Sequence, residues 1–373
     1  MKKNFLTRLL QASLICCLSV MFTGCVEQFS MLDNPIQPTV NMNQQEVKLK
    51  VGDQYQRQAI SASPATIVYS SADPAVATVN ANGIVTAIAV GTTTITASVA
   101  EVDYWLPAST SYKVTVVAKY PLSTPLTLEA ITAGTIVVSS PKAGMQYKKN
   151  DDAKTAMTAT TTIDVAIGDK VEFYGNGTSI TGYNGTKITG GTAQVKAYGN
   201  IMSMIDETGF ATATTLSSTR TFCYFFQNNT TLTDVIGLLL PATTLASQCY
   251  SSMFSGCTGL TTVPSDLLPA TTLAEGCYNS MFSGCTALTA APTLPAPSLV
   301  SYCYYCMFMN CSNLSSVTCL ATSGFDWYNT SWWLSYAGSA VTGTKTVYTA
   351  SGSNWPSGES GIPSGWSKVE VAP

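Results

Sequence analysis

Apolar residues recur along the second half of the chain with a long, fixed period. Residues 239–257 read LLPATTLASQCYSSMFSGC and residues 267–285 read LLPATTLAEGCYNSMFSGC, so equivalent positions lie 28 residues apart. A third copy at 294–311 follows after 26 residues, and a degenerate copy around Phe226 precedes the first. Periods of this length are typical of stacked repeats, in which each unit buries its apolar face against the next.

The spacing inside one copy predicts a short helix. Cys249 and Met253 lie four residues apart, as do Tyr250 and Phe254, which gives a helix one apolar face. Gly256 follows, and glycine readily adopts the left-handed conformation that ends a helix. A strand is expected after each helix, at 260–263, 288–291 and 314–317.

The first half of the chain has the alternation of β-strands. Val47, Leu49 and Val51 alternate with polar residues, and an Asn-Gly pair at 82–83 marks a turn, so residues 39–118 are predicted to form a β-sandwich. A Pro-containing linker at 119–125 leads to a second β-rich domain at 126–207. Its expected strands are LTLEAI, GTIVVSS, TTIDVAI, DKVEFYG and QVKAYGNIM.

The N-terminus has the features of an export signal. Lys2, Lys3 and Arg8 precede a short apolar stretch, residues 9–22, which is too short to be read as a membrane-spanning helix. The following FTGC resembles the lipobox of bacterial lipoproteins, which implies cleavage of residues 1–24 and a lipid on Cys25. It also implies a surface-exposed protein anchored in the outer membrane by that lipid, with residues 25–38 as a tether. Ordinary cleavage beside an incidental cysteine is the alternative.

Two further resemblances concern the domains. The run YSSADPAVATVNANGIVTAIAVGTTTITAS, residues 69–98, resembles the bacterial immunoglobulin-like group 2 domain, although Tyr69 stands where that family commonly has Trp. The repeats at 208–322 resemble the BspA-like leucine-rich repeat of bacterial surface proteins, with Met-Phe in place of Ala-Phe. The expected fold is therefore mainly β: an Ig-like sandwich, a second β-rich domain and a short-helix solenoid. Residues 323–373 would form a C-terminal cap.

Composition narrows the possible chemistry. The chain has no histidine, so Ser/His/Asp and Cys/His relays and His-ligated metals are excluded. Against 21 acidic residues there are 18 basic ones, three of them in the signal, and no basic stripe, so no nucleic-acid partner is expected. The acidic pair Asp151 and Asp152 is interpreted as a solvated loop, and a zinc site at Cys303 and Cys306 is disfavoured. No enzymatic activity, metal or cofactor is predicted.

Nine cysteines remain once the signal and Cys25 are set aside, and an odd number cannot all pair within one chain. Six of them occupy two recurring repeat positions, which favours buried packing positions over disulfides, although disulfides are not excluded. These six are Cys249, Cys257, Cys277, Cys285, Cys303 and Cys311.

Aromatic residues concentrate near the C-terminal end of the repeats. Such a cluster either packs as a cap or offers rings to a ligand, and Tyr302, Tyr304 and Tyr305 add to it. We expect a non-enzymatic surface protein that presents its repeats for adhesion or protein binding. The alternative is a glycan-binding lipoprotein of a polysaccharide uptake system that uses these aromatics; a hydrolase is a third class. The candidate ligand-binding residues are Trp327, Tyr328, Trp332, Trp333 and Tyr336.

Overall fold

A computed structural model describes residues 35–117, 120–175, 180, 182 and 185–371. The signal segment 1–24 and Cys25 lie outside the described residues. Within them the chain is mainly β: it has one short α-helix, α1 (Trp327–Thr330), and two 3-10 helices, Ile201–Met204 and Phe210–Thr212. No helix in this part of the chain is long and apolar enough to cross a membrane.

The first β region is a sandwich of short strands. A four-stranded sheet has the order β2-β9-β8-β5 and a three-stranded sheet the order β3-β7-β6, while β1 pairs with β4. The Asn-Gly turn is confirmed, since Gly83 has a φ of 71° and connects β6 to β7. The strands are β1 (Val40–Asn41), β2 (Val47–Lys50), β3 (Gln54–Gln56), β4 (Ile60–Ser61), β5 (Val68–Ser71), β6 (Ala77–Val79), β7 (Ile84–Ala87), β8 (Gly91–Val99) and β9 (Ala108–Val117).

Alternate residues of these strands meet in the sandwich core, where Val85, Ile95 and Val114 have no exposed surface. Tyr69 fits the position that the resembled family commonly gives to Trp, because its hydroxyl accepts a hydrogen bond from the backbone N–H of Ala59 at 2.7 Å. The buried Arg57 lies 4.2 Å from the centre of the Tyr112 ring and donates to backbone carbonyls, so its charge is satisfied inside the fold.

The predicted tether and the predicted linker are both partly fixed in place. Ile36 donates a backbone hydrogen bond to Tyr104 at 2.7 Å, so the end of the predicted 25–38 tether belongs to the sandwich. In the predicted 119–125 linker, Tyr120 stacks on Tyr198 with ring centres 4.1 Å apart. The described linker residues therefore pack against the second β region.

The second β region confirms all five predicted strands and adds three. The confirmed strands are β10 (Thr127–Ala130), β11 (Gly134–Ser139), β14 (Thr161–Val165), β15 (Lys170–Tyr174) and β17 (Val195–Asn200). The unforeseen strands have polar or glycine-rich sequences, which conceal the alternation of a half-buried strand. They are β12 (Gln146–Lys149), β13 (Thr155–Ala156) and β16 (Lys187–Gly191).

This β region and the repeats share one core. Strand β18 (Leu232–Leu239), from the degenerate copy, pairs in parallel with β17 and completes a six-stranded sheet, β13-β12-β15-β10-β17-β18. Buried side chains from Leu126 to Trp366 form a single hydrophobic cluster. The predicted boundary at residue 207 is therefore crossed by both a β ladder and the core.

The helix predicted in each repeat is absent from the described residues. Gln248, Tyr250 and Ser252 have positive φ angles of 54–61°, so left-handed residues alternate with right-handed ones. The intervening N–H groups bond three residues back, as from Met253 to Tyr250, while the N–H of Phe254 bonds to Met281 in the next copy at 2.9 Å. The prediction was wrong because apolar residues four positions apart also suit this turn. Alternate N–H groups of the turn bond to a neighbouring copy, which they do not do in a helix.

We call this hydrogen-bonded set of copies the repeat ladder. Of the predicted strands, only the last forms a regular one, β19 (Ser316–Cys319), and isolated bridges join the other copies, as between Asp234 and Thr262. The predicted glycine conformation is confirmed, since Gly256 and Gly284 both have a φ of 75°. The structure thus shows stacked turns but not the short-helix, leucine-rich solenoid that the sequence predicted.

Two columns of buried rings run through the repeat ladder. Phe226, Phe254, Phe282 and Phe308 stack in order with centres 5.4–5.6 Å apart. Phe222, Tyr250, Tyr278 and Tyr304 form the second column at 5.8–6.3 Å. Because the rings touch their equivalents in adjacent copies, each copy depends on its neighbours for its core.

The repeat ladder continues beyond residue 322, where the period was expected to break. Phe308 donates to Trp333 at 2.8 Å and Asn310 donates to Ser335 at 2.9 Å. Strand β19 then begins a parallel sheet with β20 (Lys345–Ala350) and β21 (Trp366–Val371). The predicted cap at 323–373 therefore begins with one further turn of the ladder.

The tyrosine column gives a stability prediction. The hydroxyl groups of Tyr250, Tyr278 and Tyr304 are buried without a hydrogen-bond partner, while Phe222 occupies the same column with no hydroxyl. Tyr278→Phe is expected to leave the free energy of unfolding unchanged or to raise it by up to ~2 kcal/mol, since it removes an unsatisfied polar group. Phe282→Ala should lower it by about 3–5 kcal/mol. Urea unfolding followed by circular dichroism measures both, and a clear loss of stability in Tyr278→Phe would contradict the prediction.

Candidate functional site

The candidate site begins at α1, on the last turn of the repeat ladder. Asp326 caps this helix, because its Oδ1 accepts the backbone N–H of Asn329 at 2.9 Å. The helix buries Asn329 and Thr330, which leaves Trp327 and Tyr328 on the outer side with exposed fractions of 51% and 58%. The cap thus fixes the backbone that presents these two rings to solvent.

Five neighbouring rings form a connected surface, which we call the aromatic patch: Tyr302, Tyr305, Trp327, Tyr328 and Trp332. The ring centres of Tyr302 and Tyr305 lie 5.7 Å apart, and those of Tyr302 and Tyr328 lie 5.8 Å apart. Trp332 joins the group through Tyr305 at 5.5 Å and Trp327 at 5.6 Å. All four contacts are edge-to-face, and such contacts stabilise ring pairs by about 0.5–1.5 kcal/mol each. The rings therefore hold one another in place.

The five aromatic residues singled out in the sequence have three different environments. Trp327, Tyr328 and Trp332 come together in the aromatic patch. Trp333 is fully buried, stacks on Trp355 at 5.1 Å and donates from Nε1 to the carbonyl of Gly361, so it closes the core as a cap. Tyr336 is 74% exposed but takes no part in the four ring contacts of the patch. The capping interpretation thus applies to Trp333, whereas the rings of Trp327, Tyr328 and Trp332 lie outside the buried core.

The three tyrosines of the preceding copy also differ in their exposure to solvent. Tyr304 has no exposed surface and belongs to the buried column, whereas Tyr302 is 38% exposed and Tyr305 is partly exposed. In the first two copies the positions of Tyr302 and Tyr305 hold Gln248 and Ser251, then Gly276 and Asn279. This change from polar or small residues to tyrosine was a signal in the sequence that could have placed both residues in the patch.

A cleft of about 630 Å³ lies beside the aromatic patch. Glu359 connects the two features: it lines the cleft, and its Oε2 accepts a hydrogen bond from Nε1 of Trp332 at 3.0 Å. Trp355, Trp366 and Lys368 also line the cleft, and Lys368 is bonded to Glu370 at 2.9 Å. None of these cleft residues was proposed as a site residue from the sequence, because they are spread over residues 355–368 and follow no motif.

The recurring cysteines are built into the core. All nine cysteines of the described residues are free and buried, including the six at the predicted packing positions. Sγ of Cys257 donates to the carbonyl of Phe226 at 3.0 Å, and Cys285 and Cys311 make the same bond to Phe254 and Phe282. The thiols thus link each copy to the preceding one.

Burial also makes these thiols poor nucleophiles. Loss of solvent raises the pKa of Cys257, Cys303, Cys311 and Cys319 to about 12 and that of Cys223 to about 11. The same cause raises the pKa of Cys306, the second residue of the one short Cys pair. A thiol that stays protonated at neutral pH neither attacks a substrate nor binds a metal readily. In the described residues, no cluster of three or more His, Cys, Asp or Glu side chains is placed to hold a metal ion.

Comparison with protein families identifies the first β region. Residues 37–104 match the family model of the bacterial Ig-like domain (group 2). This segment is a bacterial Ig-like domain. The sandwich of this Ig-like domain extends past the matched residues, because β9 (Ala108–Val117) follows them and forms the longest strand of its larger sheet. A search of curated proteins gave no match to the chain.

The buried thiols predict that the fold loses stability in alkali. The folded-state pKa of Cys257 lies above the unfolded value of about 9, so its contribution is fully present below pH 9 and is lost as the pH rises towards about 12. Urea unfolding at neutral pH and at pH about 10 should show this decrease. Cys257→Ser keeps a donor for Phe226 but does not titrate, so its stability should fall less steeply with pH. An equal slope in both proteins would contradict the prediction.

Proposed function

We propose that this protein is a non-enzymatic, lipid-anchored protein of the bacterial outer surface that adheres to a protein partner through the aromatic patch. The observation that carries the proposal is the exposure of connected rings that hold one another in position. Tryptophan and tyrosine provide much of the binding energy at protein interfaces, because they bury a large area with few rotatable bonds. A surface whose rings are already ordered loses little side-chain entropy on binding.

The remaining parts of the chain support this arrangement. The Ig-like domain is a spacer or adhesion module in the family it matches, and it is joined directly to the body that bears the patch. Ile236 packs against its core, and Asp266 accepts a hydrogen bond from the N–H of Val90 at 3.4 Å. We interpret the repeats as diverged BspA-like leucine-rich repeats, on the motif shared by 239–257 and 267–285. The FTGC sequence ending at Cys25 supports the lipid anchor.

The ring geometry favours a protein over a glycan as the partner. A sugar ring stacks flat on one aromatic face, and coplanar neighbours would extend that surface along a polysaccharide. The ring planes of the patch meet at 68–76° instead, so the rings do not form one flat platform. Side chains of a protein can pack against rings in several orientations, and the glycan alternative becomes an outcome of the test below.

The first test removes two exposed rings. Trp327→Ser with Tyr328→Ser should reduce adherence of cells that display the full-length chain to plates coated with a panel of plasma and matrix proteins, by roughly tenfold or more. Stability should fall by about 1–3 kcal/mol, because two edge-to-face ring contacts are lost, so urea unfolding is used to check that the variant is folded under the assay conditions. Tyr336→Ser is the matched control, since it removes an exposed tyrosine outside the patch. Unchanged adherence of the double variant would contradict the proposal. Polysaccharide-coated plates are tested in parallel, and a loss of adherence confined to them would favour glycan binding.

The second test concerns the anchor. Cys25→Ser should abolish incorporation of a labelled fatty acid and release the protein from the membrane fraction, because the acyl chains would be its membrane attachment. Cys17→Ser changes a cysteine of the signal segment and should leave labelling intact. Protease treatment of intact cells then reports which side of the membrane the chain faces. Absence of acyl label on the unchanged protein would disprove lipidation.

A further inference from the structure

The charges around the aromatic patch are of one sign over a long stretch of chain. Residues 221–344 contain no lysine or arginine. Their four acidic residues are Asp234, Asp266, Glu275 and Asp326. This stretch includes the whole patch and nearly all of the repeat ladder, so its side-chain charge is purely negative. Such a surface attracts cations and repels acidic partners.

Two carboxylates stand directly beside the rings. Asp326 adjoins Trp327 in the chain, is exposed, and is held in place by its bond to the N–H of Asn329. Glu359 is also exposed and is held by the indole N–H of Trp332 at 3.0 Å. Glu275 lies one copy before the patch, because the N–H of the following residue, Gly276, bonds to Ser301 beside Tyr302. The patch is therefore bordered by carboxylates, of which Asp326 and Glu359 are held in place by hydrogen bonds.

Two basic side chains occur on the side of Glu359 that faces the cleft, and both have partners. Lys368 is bonded to Glu370 at 2.9 Å and to the carbonyl of Ser353 at 2.7 Å. The ammonium of Lys345 lies 5.7 Å from the centre of the Trp366 ring. Lys368 is largely neutralised by Glu370, and the two carboxylates Asp326 and Glu359 outweigh the single positive charge of Lys345.

Exposed aromatic faces and carboxylates together suit one kind of ligand group. The face of an aromatic ring carries negative electrostatic potential and attracts ammonium or guanidinium groups within about 6 Å of its centre. A neighbouring carboxylate adds an ion pair, which is stronger once the partner excludes water. The long apolar stems of lysine and arginine can also pack against the exposed surface of aromatic rings.

We infer that the partner of the aromatic patch is a polypeptide segment rich in lysine and arginine, bound by cation–π contacts to the exposed rings and by ion pairs to Asp326 and Glu359. The inference rests on the proposed function and specifies the chemistry of the partner. It is consistent with the absence of basic residues from the stretch of chain that contains the patch.

The test uses the full-length protein and a lysine-rich synthetic peptide, with tryptophan fluorescence as the signal. Binding is expected at low ionic strength and should weaken with added salt, while a glutamate-rich peptide of equal length should not bind. Asp326→Asn with Glu359→Gln should weaken binding about tenfold. Both substitutions retain the hydrogen-bond acceptors for Asn329 and Trp332, so the geometry of the patch is preserved. Glu101→Gln, which removes an exposed carboxylate of the Ig-like domain, should have no effect.

The outcomes separate this inference from the proposed function. Equal affinity of the charge variant and the unchanged protein for the peptide would overturn the inference. So would the absence of peptide binding by a protein whose adherence still depends on Trp327 and Tyr328, although the proposed function would then stand. Binding of neutral dextran that is lost in Trp327→Ser would likewise overturn it in favour of a glycan. If adherence does not depend on Trp327 and Tyr328, the proposed function itself fails.

Discussion

The hydrogen bonds between successive copies are the interaction on which the rest of the repeat ladder depends. Left-handed backbone conformations are unfavourable for residues other than glycine by roughly 1–2 kcal/mol each, yet the copies at 239–257 and 294–311 each contain three such residues. They are stable here because the N–H groups they orient bond to the neighbouring copy, and a buried N–H without a partner would cost a comparable amount. An isolated copy would lack those partners, so the conformation of each turn is a property of the assembled ladder.

The ring columns and the cysteine contacts follow from the same constraint. Once the backbones are in register, equivalent side chains lie one above another, so Phe254 must pack on Phe226 and Phe282. Cys285 can reach the carbonyl of Phe254 for the same reason. The residues that make the sequence repetitive are therefore its structural residues. The residues of the patch that belong to a repeat copy, Tyr302 and Tyr305, occupy positions that differ between copies.

This distinction explains what could be predicted from the sequence. The strands of the Ig-like domain follow from alternation and from the Asn-Gly turn at 82–83, and the buried cysteines follow from their recurrence. The turn type could not be predicted, because a spacing of four suits both a helix and this turn, and only bonds to other copies distinguish them. Strands β12 and β16 were missed because lysines and glycines conceal their inward-facing positions. The aromatic patch was only partly foreseen, since Trp332 and Trp333 are adjacent and look equivalent in the sequence.

The different environments of Trp332 and Trp333 follow from the register of the ladder. Phe308 bonds to the backbone of Trp333, which places that residue level with the buried Met307 of the preceding copy. Its side chain therefore points inward, where the last copy needs an apolar lid, and Trp355 stacks on it to provide one. Trp332 takes the opposite side of the same turn and lies beside Tyr305. The requirement to close the core is thus met entirely by Trp333 and Trp355. The exposed rings of the patch lie outside this closure, which supports the proposal that they bind a partner.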